Sequence, residues 1–153
     1  MFMKREDIEL KIEECIQKAK RYEGIGEVAS YIPELKNVDE DSFALSIVTT
    51  SGDIYNFGES EKIFSVQSIS KVFTLMMALM DNTIDDVFSK VGTEPTRYEF
   101  NSLIPIDQRA ANPFINAGAI TTTSMIHGKN KEEKFNRVME LISQMSNNSE
   151  FSF

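Results

Sequence analysis

Ser68 and Lys71 are the residues whose types and spacing could do chemistry in this chain. They stand in the run Gln67-Ser68-Ile69-Ser70-Lys71-Val72-Phe73, ahead of a long apolar stretch. A hydroxyl and an amine three residues apart on a helix share one face and come within reach of each other. A serine becomes a nucleophile when a nearby base takes its proton, and an amine kept neutral by its surroundings can be that base. Such a pair carries out acyl transfer without histidine, and the only histidine here is His127.

The same four residues also suit an ordinary amphipathic helix with an exposed serine and lysine. Two features favour chemistry. The segment Val72 to Met80 is apolar on every side, which predicts a helix buried all round. A lysine at the start of that helix is partly desolvated, which favours its neutral form. Ser68 would sit near the helix N-terminus, where N–H groups and the macrodipole favour negative charge on oxygen.

The elements that must position the pair follow from pattern. Ile8, Ile12, Cys15, Ile16 and Ala19 recur at helical spacing, predicting a helix over Ile8 to Tyr22 that ends at Gly24-Ile25-Gly26. Val28 to Leu35 reads as an extended turn closed by Pro33. Phe43 to Thr49 and Ile54 to Phe57 read as two strands joined at Ser51-Gly52-Asp53. The apolar helix spans about Ser68 to Asp81, and a shorter one Ile84 to Val91, stopped by Gly92. Thr93 to Ala111 reads as loop. Asn112-Pro113 reads as the cap and first position of a helix that carries Asn116 and runs to His127. Lys131 to Met145 is the last helix.

Composition bounds the rest. The chain has 153 residues, enough for one ordinary domain. Its 16 basic and 24 acidic residues leave a net charge of −8, which argues against nucleic acid or an anionic membrane as partner. The runs Asp39-Glu40-Asp41 and Lys129 to Lys134 read as solvated turns and helix faces, with nothing to organise paired acids for glycoside hydrolysis. The single cysteine, Cys15, excludes an internal disulfide framework and takes a structural place on a helix face. The first twenty residues are polar and charged, unlike a secretory leader, and the apolar run is too short to span a bilayer. The expectation is a cytoplasmic protein.

Four blocks together resemble the serine-dependent bacterial-type glutaminases, relatives in fold of β-lactamases and penicillin-binding proteins. They are Gly26 to Leu35 (with Tyr31-Ile32-Pro33), Gln67 to Phe73, Phe100-Asn101-Ser102-Leu103, and Asn112 to Ile120. The resemblance implies a mixed α/β (α+β), β-lactamase-like fold. It also implies hydrolysis of L-glutamine to L-glutamate and ammonia, with no cofactor or metal. By the match, Ser68 is the nucleophile and Lys71 the general base, while Asn116, Tyr31 and Gln67 join Ser68 in lining the substrate site. Without it, Asn116 is a helix residue bonding a nearby loop and Tyr31 a half-buried aromatic. His127 has no counterpart role and reads as a surface histidine, and Ala117-Gly118-Ala119 reads as a site of close helix packing.

The segment between the Phe100 and Asn112 blocks is a few residues shorter than in relatives, trimming a loop that leads to Asn116. One hairpin is a marginal sheet, and no convincing third strand is visible. The expectation is therefore an incomplete glutaminase domain over 1–153, with 1–66 holding the first helix and hairpin and 67–153 the helical region. The remaining sheet, a second oxyanion donor and further substrate contacts would lie beyond Phe153. The complete protein is expected to form a homo-oligomer, and this chain alone to be inactive or nearly so. Two alternatives stand beside this reading: a non-catalytic fragment that binds a partner or a complementary chain, and another β-lactamase-like acyl-transfer hydrolase. The absence of a Lys-Thr-Gly-type strand weakens the latter.

Overall fold

The computed structural model describes residues 4–97, 99–102 and 109–148. Leu103, the middle of the expected Thr93–Ala111 loop and the tail from Ser149 lie outside the described residues. The chain divides into two compact units, 1–64 and 65–153.

In the first unit, α1 (Arg5–Ala19) continues into a 3-10 turn over Lys20–Tyr22, slightly earlier than the periodicity suggests. Arg5 explains the early start. Its guanidinium pairs with Glu9 one turn on, donates to the Ile54 carbonyl at 2.8 Å, and lies 4.8 Å from the centre of the Tyr55 ring. Tyr55 is buried as a result. The strands are β1 (Ala44–Val48) and β2 (Ile54–Gly58), antiparallel, with Ile47 opposite Tyr55 and Leu45 opposite Phe57. Gly52 closes the connection at φ +88°, a left-handed conformation that glycine adopts without steric cost. Alternation along β1 half-buries Leu45 and Ile47, which line an apolar groove with Ile8, Ile12 and Cys15 of α1. Cys15 lies on a face of α1, as its spacing predicts, and is exposed there. The segment expected to be an extended turn closed by Pro33 instead opens a 3-10 turn, Pro33–Asn37. Proline's fixed φ suits the first position of such a turn better than its end.

The second unit is helical. A 3-10 turn over Gln67–Ile69 leads into α2 (Ser70–Asp81), followed by α3 (Ile84–Lys90), α4 (Asn116–Ser124) and α5 (Lys131–Ser146). Its core joins Met77 and Ala78 of α2 to Val87, Val91, Ala110, Ile115, Met125 and Ile126. The helix α2 is not buried all round. Met77 and Ala78 are, but Val72 is 45% and Met80 67% exposed. An all-apolar run shows that a helix can be buried, while neighbours decide which of its faces is.

Caps explain where α3 and α5 start. Thr83 Oγ1 accepts from the Asp86 N–H, and Asn130 Oδ1 from the Glu133 N–H, with Glu133 reaching back to the Lys129 N–H. Part of the expected loop pairs in parallel fashion: Val91 bridges Ala110, and the Gly92 N–H donates to Ala110 at 2.7 Å. Asp81 ends α2 in a fork. Arg137 Nη1 and Nη2 reach its two carboxylate oxygens at 2.6 Å each, and the His127 N–H donates to Oδ2 at 2.7 Å. Arg137 holds the carboxyl of Asp81 below the usual carboxylate range, with the His127 backbone adding to it. His127 itself is exposed, as its sequence context implies.

Candidate active site

Ser68 and Lys71 lie on either side of a junction. Ser68 belongs to the 3-10 turn and Lys71 to the first turn of α2, so the motif spans the change from tight to wide helix. Ser68 is exposed, and no hydrogen bond joins its hydroxyl to the Lys71 amine. Gln67 sits immediately before it at φ +37°, a left-handed conformation costly for a residue with a Cβ. The Ser70 hydroxyl ties the turn down by donating to the Gln67 carbonyl at 2.6 Å.

Lys71 is half-buried, and its amine is held from the far side of the unit. Nζ donates to the Phe114 carbonyl at 3.0 Å and to Asn116 Oδ1 at 2.7 Å. The Phe100 ring centre lies 5.8 Å from Nζ. The described residues supply no ion-pair partner for this amine.

The segment that delivers both acceptors is built by Asn112. Its Oδ1 takes the N–H groups of Phe114 and Ile115, and its Nδ2 donates to the Glu94 carbonyl at 2.9 Å. Asn112-Pro113 therefore shapes a turn, and α4 begins three residues later than the proline suggests, at Asn116. Gly118 makes that turn possible. A Cβ there would lie 1.9 Å from the Asn112 carbonyl oxygen. The close approach expected of Ala117-Gly118-Ala119 is real, but it is to this turn rather than to another helix. The Asn116 N–H in turn donates to the Phe100 carbonyl at 2.8 Å, tying in the third sequence block.

Of the sequence-derived candidates, the structure brings Lys71 and Asn116 into direct contact, with Gln67 and Ser68 in the preceding turn. Tyr31 is exposed in the first unit, just ahead of the 3-10 turn. Two contributors escape the sequence reading. The Phe114 carbonyl acts through its backbone, which residue type cannot signal. Phe100 belongs to the third sequence block, but nothing in its type points to a lysine.

A helix-mouth serine and lysine, preceded by a small hairpin unit and followed by helices, is the arrangement of the β-lactamase-like fold, and comparison with known proteins narrows the class. The glutaminase family model matches residues 26–153, and the chain belongs to the glutaminase family. It is 43% identical over 143 residues to glutaminase 2 of Clostridium perfringens, covering 91% of this chain and 47% of that one. It is equally 43% identical to a glutaminase of Clostridium botulinum strain Hall, covering 88% and 46%. Among solved structures, the probable glutaminase ybaS matches with a TM-score of 0.81 at 35% identity, over 93% of this chain and 47% of its own. A probable glutaminase from Bacillus subtilis, solved in complex with 6-diazo-5-oxo-L-norleucine, matches with a TM-score of 0.78 at 25% identity, over 97% and 45%. The chain spans about half the length of the curated relatives it matches.

Proposed function

We propose that these residues serve hydrolysis of L-glutamine to L-glutamate and ammonia, with Ser68 as nucleophile and Lys71 as general base. The observation that carries the reading is the Lys71 amine, fixed by the Phe114 carbonyl and Asn116 one turn from an exposed serine, within a chain of the glutaminase family. In the first step Ser68 Oγ bonds to the side-chain amide carbon while Lys71 takes the hydroxyl proton. The tetrahedral intermediate collapses as the C–N bond breaks, and Lys71 returns the proton to the departing ammonia. Water then attacks the acyl-enzyme and frees glutamate. The Ser68 N–H is proposed as one donor to the oxyanion. Asn116, Tyr31 and Gln67 are proposed as substrate contacts.

We propose further that the 153 residues alone turn over glutamine weakly or not at all. They span 47% of the Clostridium perfringens relative, and losing one oxyanion donor already costs on the order of a hundredfold or more in rate.

The test uses this chain continued by the second half of the Clostridium perfringens relative. The reagent is 6-diazo-5-oxo-L-norleucine, a glutamine skeleton with a diazomethyl ketone in place of the amide. An attacking oxygen forms an O–CH₂ bond as N₂ leaves, and its proton passes to the diazo carbon. Peptide mapping is expected to place the adduct on Ser68. An adduct on another residue, with ammonia release intact, would refute the assignment.

A further inference from the structure

We propose that Asn116 is a positioning residue for the Lys71 amine, its oxygen committed to the lysine and only its Nδ2 left for a substrate. This inference rests on Lys71 acting as a base, and it specifies how the chain aims that base.

The argument is one of proton accounting. A neutral primary amine has two N–H donors and one lone pair. The structure supplies two acceptors to Nζ, the Phe114 carbonyl and Asn116 Oδ1, and both belong to one short segment. When both are engaged by N–H groups, the lone pair must point in the remaining tetrahedral direction. An amine with no such partners rotates freely and spends little time aimed at any one proton. The orientation of the Asn116 amide follows from the same chemistry. Nζ donates an N–H to the atom facing it at 2.7 Å, and that atom is the amide oxygen. Nδ2 then points away from Lys71, available as a donor to an acceptor oxygen and unable to accept.

The surroundings favour control by dipoles over control by charge. The only charged residues of α2 are Lys71 and Asp81, and Asp81 is engaged by Arg137. α4 carries no ionisable side chain. The acids of α3 are Asp85 and Asp86, and Asp86 bonds its own cap, Thr83. On α5, Glu133 bonds the Lys129 N–H and Glu140 pairs with Gln144. Among the described residues, Glu94, Arg97, Glu99 and Arg109 on neighbouring segments and Glu132 of α5 form no salt bridge with Lys71. Neutral oxygens can hold an amine without locking it in the protonated form, as a carboxylate would. That difference is what the test exploits.

The experiment measures how fast each lysine of the 153-residue chain is modified by an amine-specific acylating reagent at pH 9, read peptide by peptide by mass spectrometry. Asn116→Asp places a carboxylate where the amide oxygen stood, and the first position of a helix accepts aspartate well. The expected result is that Lys71 reacts about tenfold more slowly relative to the other lysines, because the carboxylate holds it protonated. An unchanged Lys71 ratio would overturn the proposal. The unsubstituted chain supplies a second reading that needs no variant. In a ¹⁵N-labelled sample, the Nζ protons of Lys71 should exchange with water more slowly than those of exposed Lys18 and Lys129. Equal exchange would also overturn it. Neither readout involves glutamine turnover, so failure here is separable from failure of the proposed reaction.

Discussion

Asp81 shows how a single carboxylate organises the far end of the helix that carries the candidate base. It takes two bonds from Arg137 and one from the His127 N–H, joining the end of α2 to α5 and to the segment after α4. Its side chain is only 8% exposed, so removing its charge leaves part of the Arg137 guanidinium without a partner. The lowered proton affinity of Asp81 sets the sign of a pH effect. A carboxyl with a depressed folded-state value contributes stability above its unfolded value near pH 4, and that contribution is lost as pH falls through the folded value. Asp81→Asn is expected to lower the urea midpoint at pH 7, with the gap from the unsubstituted chain closing below about pH 4. Unfolding curves that stay equally separated from pH 7 to pH 3 would contradict this. At the other end of α2, Gln67 holds φ +37°. Gln67→Gly is expected to raise stability by about 0.5–1 kcal/mol by relieving that conformation. A loss of stability in denaturant unfolding would show that the side chain matters more than the backbone there.

At the scale of elements, the turn from Asn112 to Ile115 matters more than any one helix, because it delivers both oxygens to Lys71. Gly118→Ala would drive a methyl into the Asn112 carbonyl oxygen, 1.9 Å from the new carbon. The expected cost is about 1–3 kcal/mol in denaturant unfolding, accompanied by faster Lys71 acylation as its acceptors shift. A neutral substitution would mean that the turn is softer than its contacts imply. The cap of α5 gives a milder case: Asn130→Ala is expected to cost about 1 kcal/mol, measured the same way. These elements were unequally legible from sequence. α3 and α5 start where Thr83 and Asn130 stand because each cap acts on its own next turn. α4 starts later than Asn112-Pro113 predicts, because that pair satisfies the same local rule while the close approach of Gly118, six residues on, accompanies a turn first. α2 itself starts at Ser70, not at about Ser68, for a related reason. The tight turn over Gln67–Ile69 uses the same residue types as a regular helix, and only backbone geometry separates them. Lys71 was legible as a candidate base from its place ahead of an apolar run. Its two acceptors, lying 43 and 45 residues away, were not legible as a pair.

At the scale of the whole molecule, the chain leaves much apolar surface in water. Val72, Met80, Ile84, Phe114 and Ile120 of the second unit are each 45% or more exposed, and the first unit has a two-stranded sheet with few buried residues. Small sheets and open apolar faces are poorly stable alone. The chain by itself is therefore expected to unfold at low denaturant and to bind a hydrophobic dye, and joining it to the second half of a relative should suppress both. Membership of the glutaminase family was legible in the four sequence blocks, because they fix residue identities in a set order at four places between Gly26 and Ile120. The central claim, that Ser68 attacks glutamine, is tested most directly by ammonia release. In the chain completed by the second half of the Clostridium perfringens relative, Ser68→Ala is predicted to lower turnover of L-glutamine by at least about a thousandfold while the protein stays folded. Turnover within a fewfold of the unsubstituted protein would contradict it.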